Sequence, residues 1–163
     1  LDLLENLGMD CIHDRVRCLT GWLLQELAAL RHPNGAPVVR IYGPGTTERR
    51  GGTVTLNFYD ANGHFIDHPV IERRAGEHRI SLRTGCFCNP GAGELALGLS
   101  KGELFHCMRE VGENVAHITY EDFRRCIDDK STGAVRISFG WASTFADAEA
   151  FLAFAREMRE PAT

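Results

Sequence analysis

The chain lacks the features that mark membrane, secreted and nucleic-acid-binding proteins. Its longest apolar runs are far shorter than a bilayer span, so no transmembrane helix is predicted. Residues 1–10 are acidic and do not form the basic start of a secretory signal. The formal net charge is -4, which indicates no basic surface for nucleic acid or for an anionic membrane. We therefore expect a cytoplasmic protein that binds neither.

The cysteines form neither a recognisable disulfide framework nor a zinc motif. Without an export signal, all six are expected to remain thiols in a reducing compartment. Structural zinc sites usually contain two cysteine pairs, each separated by about two to four residues. Cys86 and Cys88 form one close pair, and Cys107 and Cys126 do not supply a second. We expect no metal site, and we expect His32 and the other histidines of turns and helix ends to be exposed.

Hydrophobic periodicity predicts a two-layer α/β domain. Helices are predicted over residues 14–31, 68–77, 95–99, 102–111 and 120–128 and from Thr144 onward, and strands over residues 38–42, 53–59, 79–83 and 133–140. Such a pattern places helices against a mixed sheet of about four strands. The strand, helix, strand order over residues 53–83 favours a right-handed crossover and a parallel strand pair.

Two of these elements carry more detailed expectations. Thr144 and Asp147 have the spacing of a capping box at the start of the last helix. An apolar stripe follows along that helix and is expected to face the core: Ala148, Phe151, Leu152, Ala155 and Met158. In the strand before it, alternation places Val135 and Ile137 on the apolar side and Arg136 on the opposite side.

The segment Arg83-Thr84-Gly85-Cys86-Phe87-Cys88-Asn89-Pro90-Gly91 is the part of the chain with the clearest chemical potential. The reactive form of cysteine is the thiolate, and a nearby guanidinium or unpaired backbone N–H groups lower a thiol pKa. Arg83 and the glycine-flanked turn offer both. The alternative reading is that Cys86 and Cys88 are small buried hydrophobic residues at a strand end.

That segment, followed by Val135-Arg136-Ile137-Ser138-Phe139-Gly140-Trp141-Ala142-Ser143-Thr144-Phe145, resembles the C-terminal part of the class V pyridoxal-phosphate enzymes. Within them it is most similar to the molybdenum-cofactor sulfurase and cysteine desulfurase branch. The resemblance implies the small domain of a fold-type I enzyme. It also implies that Cys88 accepts sulfur, with Cys86 as the second candidate, that Arg136 holds the substrate carboxylate, and that Arg83 organises the turn or the cofactor phosphate.

The scarcity of lysine bears on the cofactor. Pyridoxal phosphate is held as a Schiff base on a lysine, and this chain contains only Lys101 and Lys130, in a glycine-flanked turn and a polar loop. Neither fits that role. The resemblance therefore implies that a large domain holds the cofactor, that residues 1–13 are the tail of that domain, and that residues 14–163 form the small domain.

The activity implied by the resemblance is that of a cysteine desulfurase, a sulfur transferase. Free cysteine would be its substrate, Cys88 would carry a persulfide, alanine would be released, and a protein or cofactor would accept the sulfur. The enzyme would be a homodimer, and this chain alone would be inactive. Family members often carry a further cysteine at the position of Gly93. Two alternatives remain: a class V enzyme with non-sulfur chemistry, such as transamination or another lyase reaction, and a non-catalytic interaction module.

Overall fold

The computed structural model describes residues 2–87, 89–111, 119, 122, 125–127 and 130–159. In chain order the elements are α1 (Asp2–Leu7), α2 (Met9–Ala29), β1 (Val39–Tyr42), β2 (Thr53–Tyr59), β3 (Phe65–Ile66), α3 (His68–Glu77), β4 (Arg83–Gly85), α4 (Pro90–Leu97), α5 (Lys101–Val111), β5 (Ala134–Ser138) and α6 (Phe145–Glu157). The predicted helix over residues 120–128 lies mostly outside the described residues. Among those described, no helix is long and apolar enough to cross a bilayer.

Among the described residues, the sheet contains five strands in the order β1-β2-β5-β4, with the short β3 also paired to β2. The pairings of β2 with β1, β3 and β5 are all antiparallel. The predicted α/β class is confirmed. The predicted pairing between β2 and β4 is wrong, because β5 lies between them and occupies the hydrogen-bonding edge of β2.

The chain divides into two compact units. The first contains Leu1–Arg83 and Val135–Thr163, and the second contains Thr84–Ala134. The core of the first unit is formed by α2, the inner faces of β2 and β5, and α6. Phe58 of β2 packs edge-on against Phe154 of α6 with ring centroids 5.9 Å apart, and Leu23 and Leu27 of α2 are fully buried in the same cluster.

The last helix agrees with its predicted pattern. Thr144 Oγ1 accepts a hydrogen bond from the Asp147 N–H, and the Asp147 carboxylate accepts one from the Thr144 N–H, so the capping box is formed. All five residues of the predicted apolar stripe are buried. This helix is therefore fixed at its start by the cap and along its length by packing.

The strand predicted over residues 79–83 is instead formed by Arg83–Gly85. The reason is the end of α3. Arg79 has a φ of 58°, in the left-handed region, and Ile80 donates its N–H to the carbonyl oxygen of Ala75 at 2.9 Å. This is the hydrogen-bond pattern of a helix C-terminus, and it excludes a β conformation at Arg79.

Two expectations about polar side chains are wrong. Cys107 and Cys126 form a disulfide within the second unit, where their Cα atoms lie 5.3 Å apart, a separation that a disulfide can span. His32 is buried, and the carbonyl oxygens of Arg159 and Tyr59 lie 3.0 and 2.9 Å from its ring nitrogens. Neither pairing is local in sequence, so neither can be inferred from spacing.

Candidate functional site

The thiol segment is the nine-residue segment from Arg83 to Gly91, and it begins with strand β4. Gly85 has a φ of 119°, a backbone conformation that favours glycine, and Cys86 follows it directly as an exposed free thiol. The alternative of a buried structural cysteine is therefore wrong for Cys86. Cys88 lies outside the described residues, so its assigned role stays a prediction.

Helix α4 begins at the C-terminal end of this segment, and its first turn is capped. Asn89 is the N-cap of α4, and its Oδ1 accepts a hydrogen bond from the Ala92 N–H at 3.2 Å. Phe87 packs over the first turn of the helix, so that a Cβ atom at Gly93 would lie 3.1 Å from Phe87 Cβ. A side chain at this position would crowd Phe87, and glycine relieves that contact.

Gly133 and Gly85, both in the second unit, approach each other closely at the start of the thiol segment. A Cβ atom at Gly133 would lie only 2.6 Å from the carbonyl oxygen of Gly85, so the two backbones approach more closely than any side chain would allow. Ser131 is buried, and its hydroxyl hydrogen-bonds both the N–H and the carbonyl oxygen of Gly133. The backbone immediately before Cys86 is thus packed against a segment that is itself fixed.

Arg136 lies in the first unit on the exposed face of β5. Val135 and Ile137 on either side of it are buried, whereas Arg136 is exposed, which confirms the predicted alternation. Arg136 pairs in register with Thr55, and Thr55 pairs on its other side with Tyr42. A guanidinium and two hydroxyl groups therefore form one row across the polar face of the sheet.

A hydrogen-bonded network supports that row. The Asn57 side-chain amide donates to the Tyr42 hydroxyl at 3.1 Å, and Arg40 stacks over the Tyr42 ring at 5.6 Å from its centroid. Burial, together with a hydrogen bond to Tyr59, raises the pKa of Tyr42 well above its usual value, so this hydroxyl stays protonated. Alternation along β2 places Thr55 and Asn57 on one face, but the sequence does not indicate their cross-strand partners.

The three described candidate residues do not all lie in one unit. Arg83 is exposed at the start of β4 and Arg136 is exposed on β5, the neighbouring strand, and both arginines belong to the first unit. Cys86 belongs to the second unit. The two arginines therefore lie on adjacent strands, and the exposed thiol of Cys86 lies in the turn that follows β4.

The two lysines differ in their surroundings. Lys130 Nζ is bound to Glu103 Oε1 at 2.5 Å and to the Gly98 carbonyl oxygen at 2.9 Å, so its amine is already engaged. Lys101 is exposed at the start of α5. Within the described ranges, histidine, cysteine and carboxylate side chains form no group of three or more that could hold a metal ion.

Comparison with known proteins gives a consistent set of relatives. The chain is 39% identical to the molybdenum cofactor sulfurase of Bos taurus over 94% of its length, 37% identical to that of Homo sapiens over 97%, and 40% identical to that of Arabidopsis thaliana over 93%. It spans only 17–18% of the length of these proteins. No family model matches the chain.

The fold also has a counterpart among solved structures. The apo structure of a cysteine desulfurase from Thermococcus onnurineus NA1 matches with a TM-score of 0.59 at 18% identity, over 96% of this chain and 28% of that one. At this identity the likeness concerns the fold alone. The sequence matches confirm the resemblance to the molybdenum cofactor sulfurases.

Proposed function

Because this chain is a relative of the molybdenum cofactor sulfurases over 93–97% of its length, we propose that it is the small domain of a cysteine desulfurase-like enzyme. Residues 14–163 form this domain, and residues 1–13 are the tail of a large domain. The observation that best supports a sulfur-transfer role is that the motif with both candidate cysteines has an exposed thiol at Cys86, between the close contact of Gly85 with Gly133 and the capped start of α4.

In the proposed reaction the Cys88 thiolate attacks the sulfur atom of free cysteine. A sulfur–sulfur bond forms as the carbon–sulfur bond of the substrate breaks, and the three-carbon remainder gains a proton and leaves as alanine. The persulfide on Cys88 then gives its outer sulfur to an acceptor protein or cofactor. A turn at the protein surface suits a group that must reach both substrate and acceptor.

Arg136 fixes the substrate in this proposal. A planar guanidinium can donate two parallel hydrogen bonds to a carboxylate, and a strand holds it at a defined angle. Arg136 stands on the polar face of β5 beside Thr55, with its apolar neighbours directed to the core. Arg83, on the adjacent strand, supplies a second positive charge.

The cofactor is assigned to another part of the longer protein. When bound, pyridoxal phosphate supplies the electron sink that carbon–sulfur cleavage next to an amino acid requires. Since Lys130 is engaged by Glu103 and Lys101 is exposed, we assign the Schiff-base lysine to the large domain. The isolated chain is then inactive, and the active enzyme is a cytoplasmic homodimer.

The test is persulfide formation in the full-length enzyme, supplied with cysteine carrying a sulfur label. Cys88→Ser should abolish label on the protein, whereas Cys86→Ser should retain most of it. Cys18→Ser is the matched control, because Cys18 is an exposed free thiol on α2. Label that persists in Cys88→Ser and disappears in Cys86→Ser would assign the sulfur to Cys86.

Equal labelling of all three variants would refute the desulfurase proposal. Turnover of another amino acid by such variants would then favour non-sulfur class V chemistry. No turnover at all, with inert thiols, would favour an interaction module.

A further inference from the structure

A cavity of about 370 Å³ lies in the first unit, where the predicted strand over residues 79–83 does not form. Strand β4 begins only at Arg83, and residues 79–82 belong to no strand. Residues 78–81, the end of β5 and the first two turns of α6 line the cavity. Neither Arg83 nor Arg136 lines it, and Cys86 lies in the second unit, so the proposed sulfur chemistry does not use it.

The segment before β4 presents a guanidinium to this cavity. Arg79 is exposed, and its side chain forms no ion pair or hydrogen bond among the described residues. Its φ of 58° lies in the left-handed region, where a side chain costs free energy and glycine is the usual residue. Ser81 is also exposed and lines the cavity from the same segment. This segment can therefore donate hydrogen bonds to a carboxylate.

The first turn of α6 presents the opposite charge. The Asp147 carboxylate accepts hydrogen bonds from the Thr144 N–H at 2.7 Å and from the Thr144 hydroxyl at 2.8 Å, and both use Oδ2. The bond to the backbone, and then the bond to the hydroxyl, lower the pKa of Asp147, so this group is ionised at neutral pH. Asp147 is exposed, and its Oδ1 has no partner among the described residues. Because Arg79 and Asp147 form no ion pair with each other, a ligand can reach both charges.

The rest of the lining adds no second carboxylate and supplies an apolar surface. His78 also lines the cavity, and its Nε2 lies 3.1 Å from Glu157 Oε2, which already offers it a partner. The apolar part of the lining includes the buried Ile137 and Phe151 and the half-buried Phe139. A ligand with one negative charge, one positive charge and a hydrocarbon group matches these features.

We propose that this cavity binds a free α-amino acid with a medium-sized hydrocarbon side chain. Its carboxylate accepts hydrogen bonds from the Arg79 guanidinium and the Ser81 hydroxyl, and its ammonium group donates to Asp147 Oδ1. Its side chain packs against Phe139. The volume lies at the lower end of the roughly 300–1,000 Å³ of ligand sites, which suits a molecule of this size. The site does not depend on the proposed desulfurase function.

The experiment titrates the 163-residue chain with L-leucine, followed by NMR. Two analogues keep the hydrocarbon body and each lacks one charge: 4-methylpentanoate has no ammonium group, and L-leucinamide has no carboxylate. Amide resonances of residues 78–81 and 143–151 should shift with leucine. Each analogue should bind at least about tenfold more weakly, because each loses a hydrogen bond between charged groups. Either analogue binding as tightly as leucine would overturn the proposal, as would the absence of any shift with leucine.

Substitution of Arg79 separates binding from folding. Arg79→Gly removes the guanidinium and relieves the left-handed conformation, so the urea midpoint should not fall while leucine binding weakens at least about tenfold. Arg79→Lys should keep only part of the affinity, since lysine cannot make the bidentate contact. Arg73→Gln, on the exposed face of α3 and outside the cavity, is the control. Unchanged leucine affinity in Arg79→Gly would refute the assignment.

Substitution of Asp147 tests the opposite charge. Asp147→Asn keeps an oxygen that can accept the cap hydrogen bonds and removes the charge, so leucine binding should weaken at least about tenfold. Thr144→Ala is the matched control, because it removes the cap and keeps the Asp147 carboxylate. If Thr144→Ala loses binding as fully as Asp147→Asn, the start of α6 and not the charge is responsible, and the assignment is wrong.

The full-length enzyme supplies the last arm. Arg79→Gly should accumulate the same sulfur label as the unsubstituted enzyme, and loss of label would overturn the assignment of a separate site. If the chain binds leucine and the full-length enzyme does not, another part of the protein covers the cavity, and the proposal is wrong. If no variant carries label, the desulfurase proposal fails, whereas the leucine titration of the chain still decides this one.

Discussion

Replacing Gly133 by alanine tests whether the close backbone contact between Gly133 and Gly85 stabilises the start of the thiol segment. The added Cβ would lie 2.6 Å from the Gly85 carbonyl oxygen and 2.7 Å from its carbon, whereas ordinary contacts begin at 3.4 Å. The two backbones must therefore separate by about 0.8 Å. Gly133 cannot move freely, because the buried Ser131 hydroxyl binds both its N–H and its carbonyl oxygen. We expect Gly133→Ala to lower the free energy of unfolding by about 1–3 kcal/mol, the usual range for overpacking.

Urea unfolding followed by circular dichroism measures that change, and hydrogen exchange locates it. Peptides covering residues 83–87 should exchange faster in Gly133→Ala, because local opening next to the strained contact becomes easier. Gly102→Ala is the matched control: Gly102 lies in the same unit, and the nearest atom to its added Cβ is Ser100 Oγ at 3.8 Å. If Gly133→Ala is as stable as Gly102→Ala, with unchanged exchange at residues 83–87, the glycine contact does not hold the thiol segment.

Three further predictions concern individual side chains. Arg136→Ala in the full-length enzyme should cost about 2–5 kcal/mol of substrate binding, with only partial rescue by lysine, and an unchanged KM for cysteine would remove the assignment. Thr144→Ala should lower the free energy of unfolding by about 0.5–2 kcal/mol because it removes the cap on Asp147, whereas Thr144→Ser should not. Hydrogen bonds from Lys130 and the Ser100 turn lower the pKa of Glu103 from 4.5 to about 2, so its stabilising contribution is complete above pH 4.5 and is lost as the pH falls toward 2. Glu103→Gln should flatten the dependence of stability on pH in that window, and an unchanged slope would contradict the ion pair.

Two elements whose signal is local were predicted with the correct bounds. Strand β2 covers Thr53–Tyr59 and helix α3 covers His68–Glu77, as the hydrophobic periodicity indicated. In both, one face is buried and the other is polar, so the sequence pattern and the packing carry the same information. The same holds for Arg136, whose exposed position follows from its buried neighbours.

Features that depend on distant partners were not predictable in this way. The position of β5 between β2 and β4 joins residues about eighty apart, and no residue pattern in either strand specifies that neighbour. The disulfide between Cys107 and Cys126 depends on how the second unit brings two segments together. The strand misplaced at residues 79–83 has a different cause: an arginine at a position where a helix end usually has glycine gave no breaking signal.

The candidate site has both features that the local sequence predicts and features that depend on distant residues. Its residue types were evident from one motif, because Arg83, Gly85 and Cys86 are consecutive or nearly so. The start of the motif packs against Gly133, almost fifty residues later, through a backbone contact that only the absence of a side chain at Gly133 permits. A glycine selected for close approach looks in sequence like any other turn glycine. The residues of this candidate site could therefore be named from the sequence, whereas the backbone contact that positions them required the structure, and the Gly133→Ala variant tests that contact.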